Sequence, residues 1–489
     1  MPFKIAFIGA GSIGFTRKLV ADLLTVPEFA RVELAFTDIN RRNLEMVAEL
    51  CRRDIAANRL PTKITATTDR REALAGAKYV FCVVRIGGLE AFAHDIEIPL
   101  KYGVDQCVGD TLCAGGLMYA QRGIAALLDF CRDIREVAAP DCLLLNYANP
   151  MAMMTWAANK YGGVRCVGLC HGVQHGHGQI AQALGLEKEQ VDIVCAGINH
   201  QTWYIRVLAE GRDRTGELLA AFERHPEFSQ TEKVRIDMLR RFGYYSTESN
   251  GHLSEYLPWY RKRPDEIPRW IDLGMWINGE TGGYLRVCTE GRHWFEAEFG
   301  KGADTIEPLR YTPENRSEEH GSRILEALET GRVYRGHFNL VNRSAITNLP
   351  PDAIVEAPGF VDRFGINMPP VGDLPLGCAA VCNASISVQR LGVEAAVRGD
   401  DALLRQAFMM DPLVGAVCNP PEIWQMVDEM LVALAPWMPQ YKTAVAAAKR
   451  RLKKGPLLPT KKTRGAARLK TRSLAELKRA EKQNPRAGH

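Results

Sequence analysis

Two short segments of this chain carry residue types that could hold a metal ion. Cys170-His171 and Gly197-Ile198-Asn199-His200 each stand at the end of a strand-like run, 164–169 and 191–196, so both can face one crevice. A thiolate and an imidazole, with positions left open for water and substrate oxygens, would make a divalent ion a Lewis acid. Plainer readings exist, since a buried Cys often packs as a small hydrophobe and a lone His often sits satisfied in a core. A third segment is more specific. The apolar run 4–8 leads into Gly9-Ala10-Gly11-Ser12-Ile13-Gly14 and then a helical pattern, the setting in which Gly-x-Gly-x-x-Gly cradles a dinucleotide pyrophosphate. Gly9 would permit the tight turn, Gly11 the close approach of backbone to phosphate, and Gly14 the packing of helix on strand. A second run, 32–37, ends at Asp38, placed to bind a ribose 2′-hydroxyl and so to favour NAD over NADP.

The elements that would position these groups alternate. Strand-like runs at 4–8, 32–37, 63–67, 79–84, 142–147, 164–169 and 191–196 are separated by helical patterns, clearest over 116–137 and 151–160. This predicts an α/β, Rossmann-like doubly wound parallel sheet of the lactate/malate dehydrogenase kind, followed by an α+β substrate domain. The expected organisation is a dinucleotide-binding domain over 1–200, a substrate-binding and dimerisation domain over 201–440, and a basic, disordered tail over 441–489. The second region should carry helices near 234–260, 317–330 and 385–434 and strands near 336–341 and 353–358. Several strand ends are polar or glycine-rich, among them Arg85-Ile86-Gly87-Gly88 and Asn146-Tyr147-Ala148-Asn149-Pro150, and open α/β sheets bind ligands at such ends.

With 489 residues, 46% of them hydrophobic, the chain can bury a large core. No apolar run approaches a membrane span, and the first strand-like run begins at residue 4, leaving no room for a leader, so a cytoplasmic location is expected. Thirteen cysteines, an odd number scattered through the expected elements, read as reduced thiols. The net charge of +5 conceals an asymmetry, because fifteen Lys or Arg against two Glu from residue 449 onward make a +13 tail on a body of −8. Such a tail could contact nucleic acid, but a solvated extension is the favoured reading.

The motifs together resemble the NAD-dependent family 4 glycoside hydrolases, especially their α-galactosidase branch. The resemblance rests on Phe7-Ile8-Gly9-Ala10-Gly11-Ser12, Asp38-Ile39, Ile86-Gly87-Gly88, Gly109-Asp110-Thr111-Leu112, Asn146-Tyr147-Ala148-Asn149-Pro150, Val167-Gly168-Leu169-Cys170-His171 and Cys195-Ala196-Gly197-Ile198-Asn199-His200. Thr247-Glu248-Ser249, Glu255-Tyr256-Leu257-Pro258-Trp259 and Met410-Asp411-Pro412 extend it to about residue 440. The resemblance implies a glycosidase that departs from the usual two-carboxylate route. NAD⁺ would oxidise the sugar at carbon 3, the carbon 2 proton would leave, the glycosidic oxygen would depart by elimination, and water addition and re-reduction would finish the cycle. It also implies Cys170 and His200 as ligands of Mn²⁺ or another divalent metal, and Asn149 as a residue binding substrate hydroxyls.

The acid and base are read less directly. His171 stands where the phospho-sugar branch has an acidic proton donor, and could donate a proton or only orient substrate. Tyr256 is the candidate base at carbon 2, with His252 and Glu248 as alternatives; His252 is also a candidate for substrate binding, and Asp110 for orienting the metal or its water. Arg85 could bind the cofactor pyrophosphate or pair with an anionic substrate group. Gly172 and Arg85 depart from the α-galactosidase pattern, so a uronidase or α-glucosidase is kept as the alternative and a simple hydroxy-acid dehydrogenase as a remote one. A homodimer or homotetramer acting on a small glycoside, with no membrane partner, completes the expectation.

Overall fold

The computed structural model describes residues 3–12, 14–300, 302–461 and 463–483. Its strands are β1 (Lys4–Ile8), β2 (Glu33–Thr37), β3 (Lys63–Thr67), β4 (Tyr79–Cys82), β5 (Leu143–Asn146), β6 (Arg165–Gly168), β7 (Val191–Ile198), β8 (Gln201–Ala209), β9 (Arg212–Asp213), β10 (Tyr245–Ser246), β11 (Tyr334–Val341), β12 (Ile354–Asp362) and β13 (Gly365–Asn367). Six of them form a parallel block in the order β3-β2-β1-β4-β5-β6, the order of a Rossmann fold. Inside its edge strand β3 the block is apolar on both faces because both are covered. Ala6 and Ile8 of β1 join one core with the helices Cys113–Val137 and Leu376–Arg398, whereas Ile5 and Phe7 join the other with Phe15–Leu24 and Arg41–Ala57.

Beyond β6 the sheet continues antiparallel as β11, β12, β7, β8 and β10. The expected seventh parallel strand is therefore corrected. β7 turns through Asn199 and His200 straight into β8, and Ile198 pairs with Gln201, so this hairpin forces antiparallel pairing. β11 and β12, from the second half of the chain, insert between β6 and β7, and the sheet runs unbroken across residue 200. The helical pattern over 234–260 splits into Lys233–Phe242 and Asn250–Tyr256 with β10 between them, and that over 385–434 is four helices beginning at Leu376.

The disordered tail is also corrected over residues 441–483; 484–489 lie outside the described residues. Lys442–Lys454 is helical, an extended strap follows, and Leu474–Gln483 is helical again. Its charge is the reason, because the acidic body supplies partners. Arg451 pairs with Asp428 at 2.7 Å, Arg472 with Glu290 at 2.8 Å, and Arg468 with Glu97. Backbone bonds from Ala466 N–H to Asp105 Oδ2 (2.9 Å) and from Thr281 N–H to the Ala467 carbonyl (3.0 Å) fix the strap. No described helix is long and apolar enough to cross a membrane.

Candidate active site

The glycine turn after β1 is tied to the end of β2, where the Thr37 carbonyl accepts from the N–H groups of Gly9 (2.9 Å) and Ala10 (3.1 Å). Gly9 has φ +87°, and a Cβ there would lie 2.8 Å from Val84 Cγ1; one on Gly11 would lie 2.9 Å from Asp38 Oδ2. The backbone angle holds the first position to glycine, and a side chain at the second would push Asp38 off the turn. Asp38 accepts from the N–H groups of Gly11 (2.9 Å) and Asn40 (2.8 Å), which holds its carboxylate over the turn. Ser12 N–H closes the turn onto the Gly9 carbonyl at 3.0 Å, and Ile39, fully exposed, follows Asp38. Gly14 differs from expectation. It precedes the helix Phe15–Leu24 at φ −116°, and a Cβ would meet nothing within 4 Å, so close helix–strand packing does not require it.

The candidate metal ligands converge from three segments. Gly168, Asn339, Glu356 and Gly197 form one row across β6, β11, β12 and β7. Strands about 4.8 Å apart put the ends of β6 and β7 roughly 14 Å from each other. The chain closes that gap beyond the row. His200 takes φ +62° in the β7–β8 turn, and ligand atoms of Cys170, His200 and Glu248 lie within 4.8 Å of one another. Glu248 was singled out in the sequence only as an alternative base. Gly172 makes room for it, since a Cβ there would lie 3.0 Å from Glu248 Cγ.

The donor set fits a divalent cation. Glu248 Oε2 stands 2.8 Å from His200 Nε2 yet, although buried, makes no hydrogen bond. Burial alone would raise the Glu248 carboxyl, but the imidazoles of His200 and His252 hold it well below the usual carboxylate range. Burial opposes a charge on His200, and Glu248 and Cys170 outweigh it and push its pKa well up. Burial pushes the Cys170 thiol up to about 11, while the Gly172 N–H donates to its sulfur at 3.4 Å. An ion among these three groups would supply the positive charge that Glu248 and Cys170 otherwise draw onto His200 as a proton.

Around the three lies a second set of contacts. Asp110, fully buried, pairs with Arg85 at 3.0 Å and accepts from Asn149 Nδ2 (3.2 Å) on the same oxygen, Oδ2, and from Thr111 Oγ1 (3.0 Å) on Oδ1. The Arg85 guanidinium lies over the rings of Phe92, Tyr119 and Tyr284 at 4.5–5.2 Å. His252 and Tyr256 share a face of the helix Asn250–Tyr256, i and i+4, and His252 packs edge-on against His200 with ring centroids 4.6 Å apart. The Tyr256 hydroxyl lies 3.4 Å from His200 Nδ1, and in the protein alone burial pushes this phenol well above its usual pKa. Burial also pushes His252 down to about 4. His171 is exposed at the rim, its Nδ1 3.4 Å from Glu319, whose carboxylate raises the imidazole's pKa. Glu255 escaped the sequence reading as a site residue. It accepts from the N–H groups of Cys107, Val108 and Gly109 and so shapes the loop that leads to Asp110.

Comparison with known proteins bears on this geometry. Residues 4–186 match the model of the family 4 glycosyl hydrolases, and 195–414 that of the family 4 glycosyl hydrolase C-terminal domain. An alpha-galactosidase of Rhizobium meliloti is 62% identical over 487 residues, 98% of each chain. An alpha-galactosidase of Bacillus subtilis is 34% identical over 90% of this chain and 100% of its own. The fold is similar to that of the 6-phospho-beta glucosidase from Thermotoga maritima solved with manganese, NAD+ and glucose-6-phosphate, with TM-score 0.73, 22% identity, and coverage of 89% of this chain and 99% of that one.

Proposed function

The chain belongs to the family 4 glycosyl hydrolases, and from that premise we propose that it hydrolyses α-galactosides with NAD and a divalent metal ion, Mn²⁺ by preference. The observation that carries the reading is the convergence of Cys170, His200 and Glu248 in a chain whose first strand ends in a dinucleotide turn. A neutral sugar is favoured over a uronide because Arg85, the guanidinium beside Asp110 and Asn149, is already paired.

When bound, NAD⁺ supplies a hydride acceptor for carbon 3 of the sugar, and the divalent ion a Lewis acid for its hydroxyl oxygens. Gly9, Gly11, Ser12 and Gly14 present backbone to the pyrophosphate, Asp38 binds the adenosine ribose, and Ile39 offers an apolar surface to the base. Cys170 Sγ, His200 Nε2 and Glu248 hold the ion. Asn149 donates to Asp110 through its amide nitrogen, which leaves its carbonyl oxygen to accept from a sugar hydroxyl. His252 borders the same space and contacts the sugar. Tyr256 takes the carbon 2 proton, and His171, held by Glu319, gives a proton to the departing glycosidic oxygen. Arg85 serves through Asp110. All thirteen cysteines are free and twelve are buried, which supports a reducing, cytoplasmic setting.

Hydrolysis of p-nitrophenyl α-galactoside in heavy water tests the scheme. Deuterium is expected at carbon 2 of the galactose, since that proton exchanges before the sugar is re-reduced. Full turnover without label, by protein stripped of NAD⁺ and metal, would overturn it.

A further inference from the structure

Thr111 is buried between the Asp110 carboxylate and the His200 ring. A hydroxyl has one proton to give. Asp110, ion-paired with Arg85, can only accept, and its Oδ1 takes that proton from Thr111 Oγ1 at 3.0 Å. Thr111 Oγ1 also lies 3.1 Å from His200 Nδ1. With the hydroxyl proton committed to Asp110, this second contact is a hydrogen bond only if Nδ1 carries the proton and donates. The opposite ring nitrogen, Nε2, faces Glu248 at 2.8 Å.

We infer that Thr111, oriented by Asp110, is a positioning residue that fixes His200 as the Nδ1–H tautomer and so leaves the Nε2 lone pair for the metal. The inference rests on the metal reading given above. Among the described residues the other group bonded near Nδ1 is the Tyr256 hydroxyl, at the longer distance of 3.4 Å, and that phenol also interacts with Thr111. A phenol donating there would put the proton on Nε2 and abolish its ability to ligate, so the Thr111 contact decides the matter. Glu255 supports the arrangement by pinning the backbone of 107–109 just ahead of Asp110. Metal-bound imidazoles commonly depend on such a partner on the other ring nitrogen, and its loss weakens metal binding by about 10- to 100-fold.

The test is calorimetric titration of the full-length, NAD⁺-loaded protein with Mn²⁺ alone. Thr111→Val, which keeps the shape and removes the hydroxyl, should weaken Mn²⁺ by about 10- to 100-fold while leaving NAD⁺ affinity unchanged. Thr111→Ser should restore Mn²⁺ binding to within a few fold. Asp110→Asn can donate to Thr111 and turn its hydroxyl toward Nδ1, so it should weaken Mn²⁺ as Thr111→Val does. Tyr256→Phe should leave Mn²⁺ affinity intact. Should Thr111→Val not fold, as judged by lost NAD⁺ binding, Thr111→Ala takes its place. Wild-type affinity in the hydroxyl-free variant, or equal losses in Tyr256→Phe and Thr111→Val, would overturn the inference alone. A wild-type protein that took up no Mn²⁺ would overturn the metal reading with it.

Discussion

Replacing Arg85 by alanine separates two roles that a guanidinium at a strand end can have. If Arg85 read an anionic substrate group, its loss would cost a charge-assisted pair, about 1.5–3 kcal/mol or roughly ten- to hundredfold, on uronides alone. The structure argues otherwise. Asp110 is fully buried and among the described residues Arg85 is its one ionic partner, 3.0 Å away, so Arg85→Ala strands a buried carboxylate. Breaking a buried pair from one side costs about 3–5 kcal/mol, and the low end applies because the Arg85 side chain is 23% exposed. Three ring faces lose their cation as well, at about 0.5–1 kcal/mol each. Because Asp110 also orients Asn149 and Thr111, the damage should reach every substrate alike. Arg85→Ala is therefore expected to lower the thermal midpoint and to cut kcat/KM on p-nitrophenyl α-galactoside and α-galacturonide by the same factor. In an Asp110→Asn background, with no stranded charge, the same substitution should cost at least about 1 kcal/mol less. An unchanged midpoint, with loss confined to the galacturonide, would refute the reasoning.

Asp38 over the glycine turn should repel a 2′-phosphate, so calorimetry is expected to show NAD⁺ binding more tightly than NADP⁺ and Asp38→Ala narrowing the gap; equal affinities in wild type would count against the assignment. Chelation and Cys170→Ser should both suppress hydrolysis, with Mn²⁺ restoring only the chelated enzyme, because a hydroxyl is a much poorer donor than a thiolate; rescue of Cys170→Ser by Mn²⁺ would argue that the thiol is not a ligand. His337 on β11 is buried with no partner for Nε2, and burial pushes it down to about 3. Below its ordinary 6.5 the unfolded chain takes up a proton that the folded chain refuses, so stability falls as pH drops from 6.5 toward 3, at up to about 1.4 kcal/mol per pH unit. His337→Gln should flatten the thermal midpoint between pH 7 and 5; identical profiles for the two proteins would contradict the burial argument.

The parallel half of the fold was legible because most of its strands are short apolar runs set off by helical segments, and consecutive runs in such a pattern mostly pair as neighbours, β3 and β4 being the exception. β1, the glycine turn, β2 and Asp38 could be read in order for that reason. The insertion of β11 and β12 could not. Each joins the older sheet through one bridge, Asn339 to Gly168 and Glu356 to Gly197, between segments far apart in sequence, and no periodicity records such a partner. Charge counting found the basic tail but not its docking, because the acids that receive it, Glu97, Glu290 and Asp428, lie on three different helices of the body.

The site divides in the same way. Cys170 and His200 stood out because each closes a strand-like run, and a strand end states where a side chain goes. Glu248 closes no such run, and what brings it in is the turn joining β10 to the helix Asn250–Tyr256. Thr247-Glu248-Ser249 marked it only as an alternative base, and the trace of its place beside Cys170 is Gly172, two residues past that cysteine, which looked like a departure bearing on substrate. The structure gives that glycine a mechanical meaning, since any larger residue would press on the Glu248 side chain. Gly172→Ala should therefore displace the carboxylate and weaken Mn²⁺ binding, and the double variant Gly172→Ala/Glu248→Gln should lose no more than Glu248→Gln alone. Additive losses would mean that the glycine acts on metal binding by a route other than Glu248.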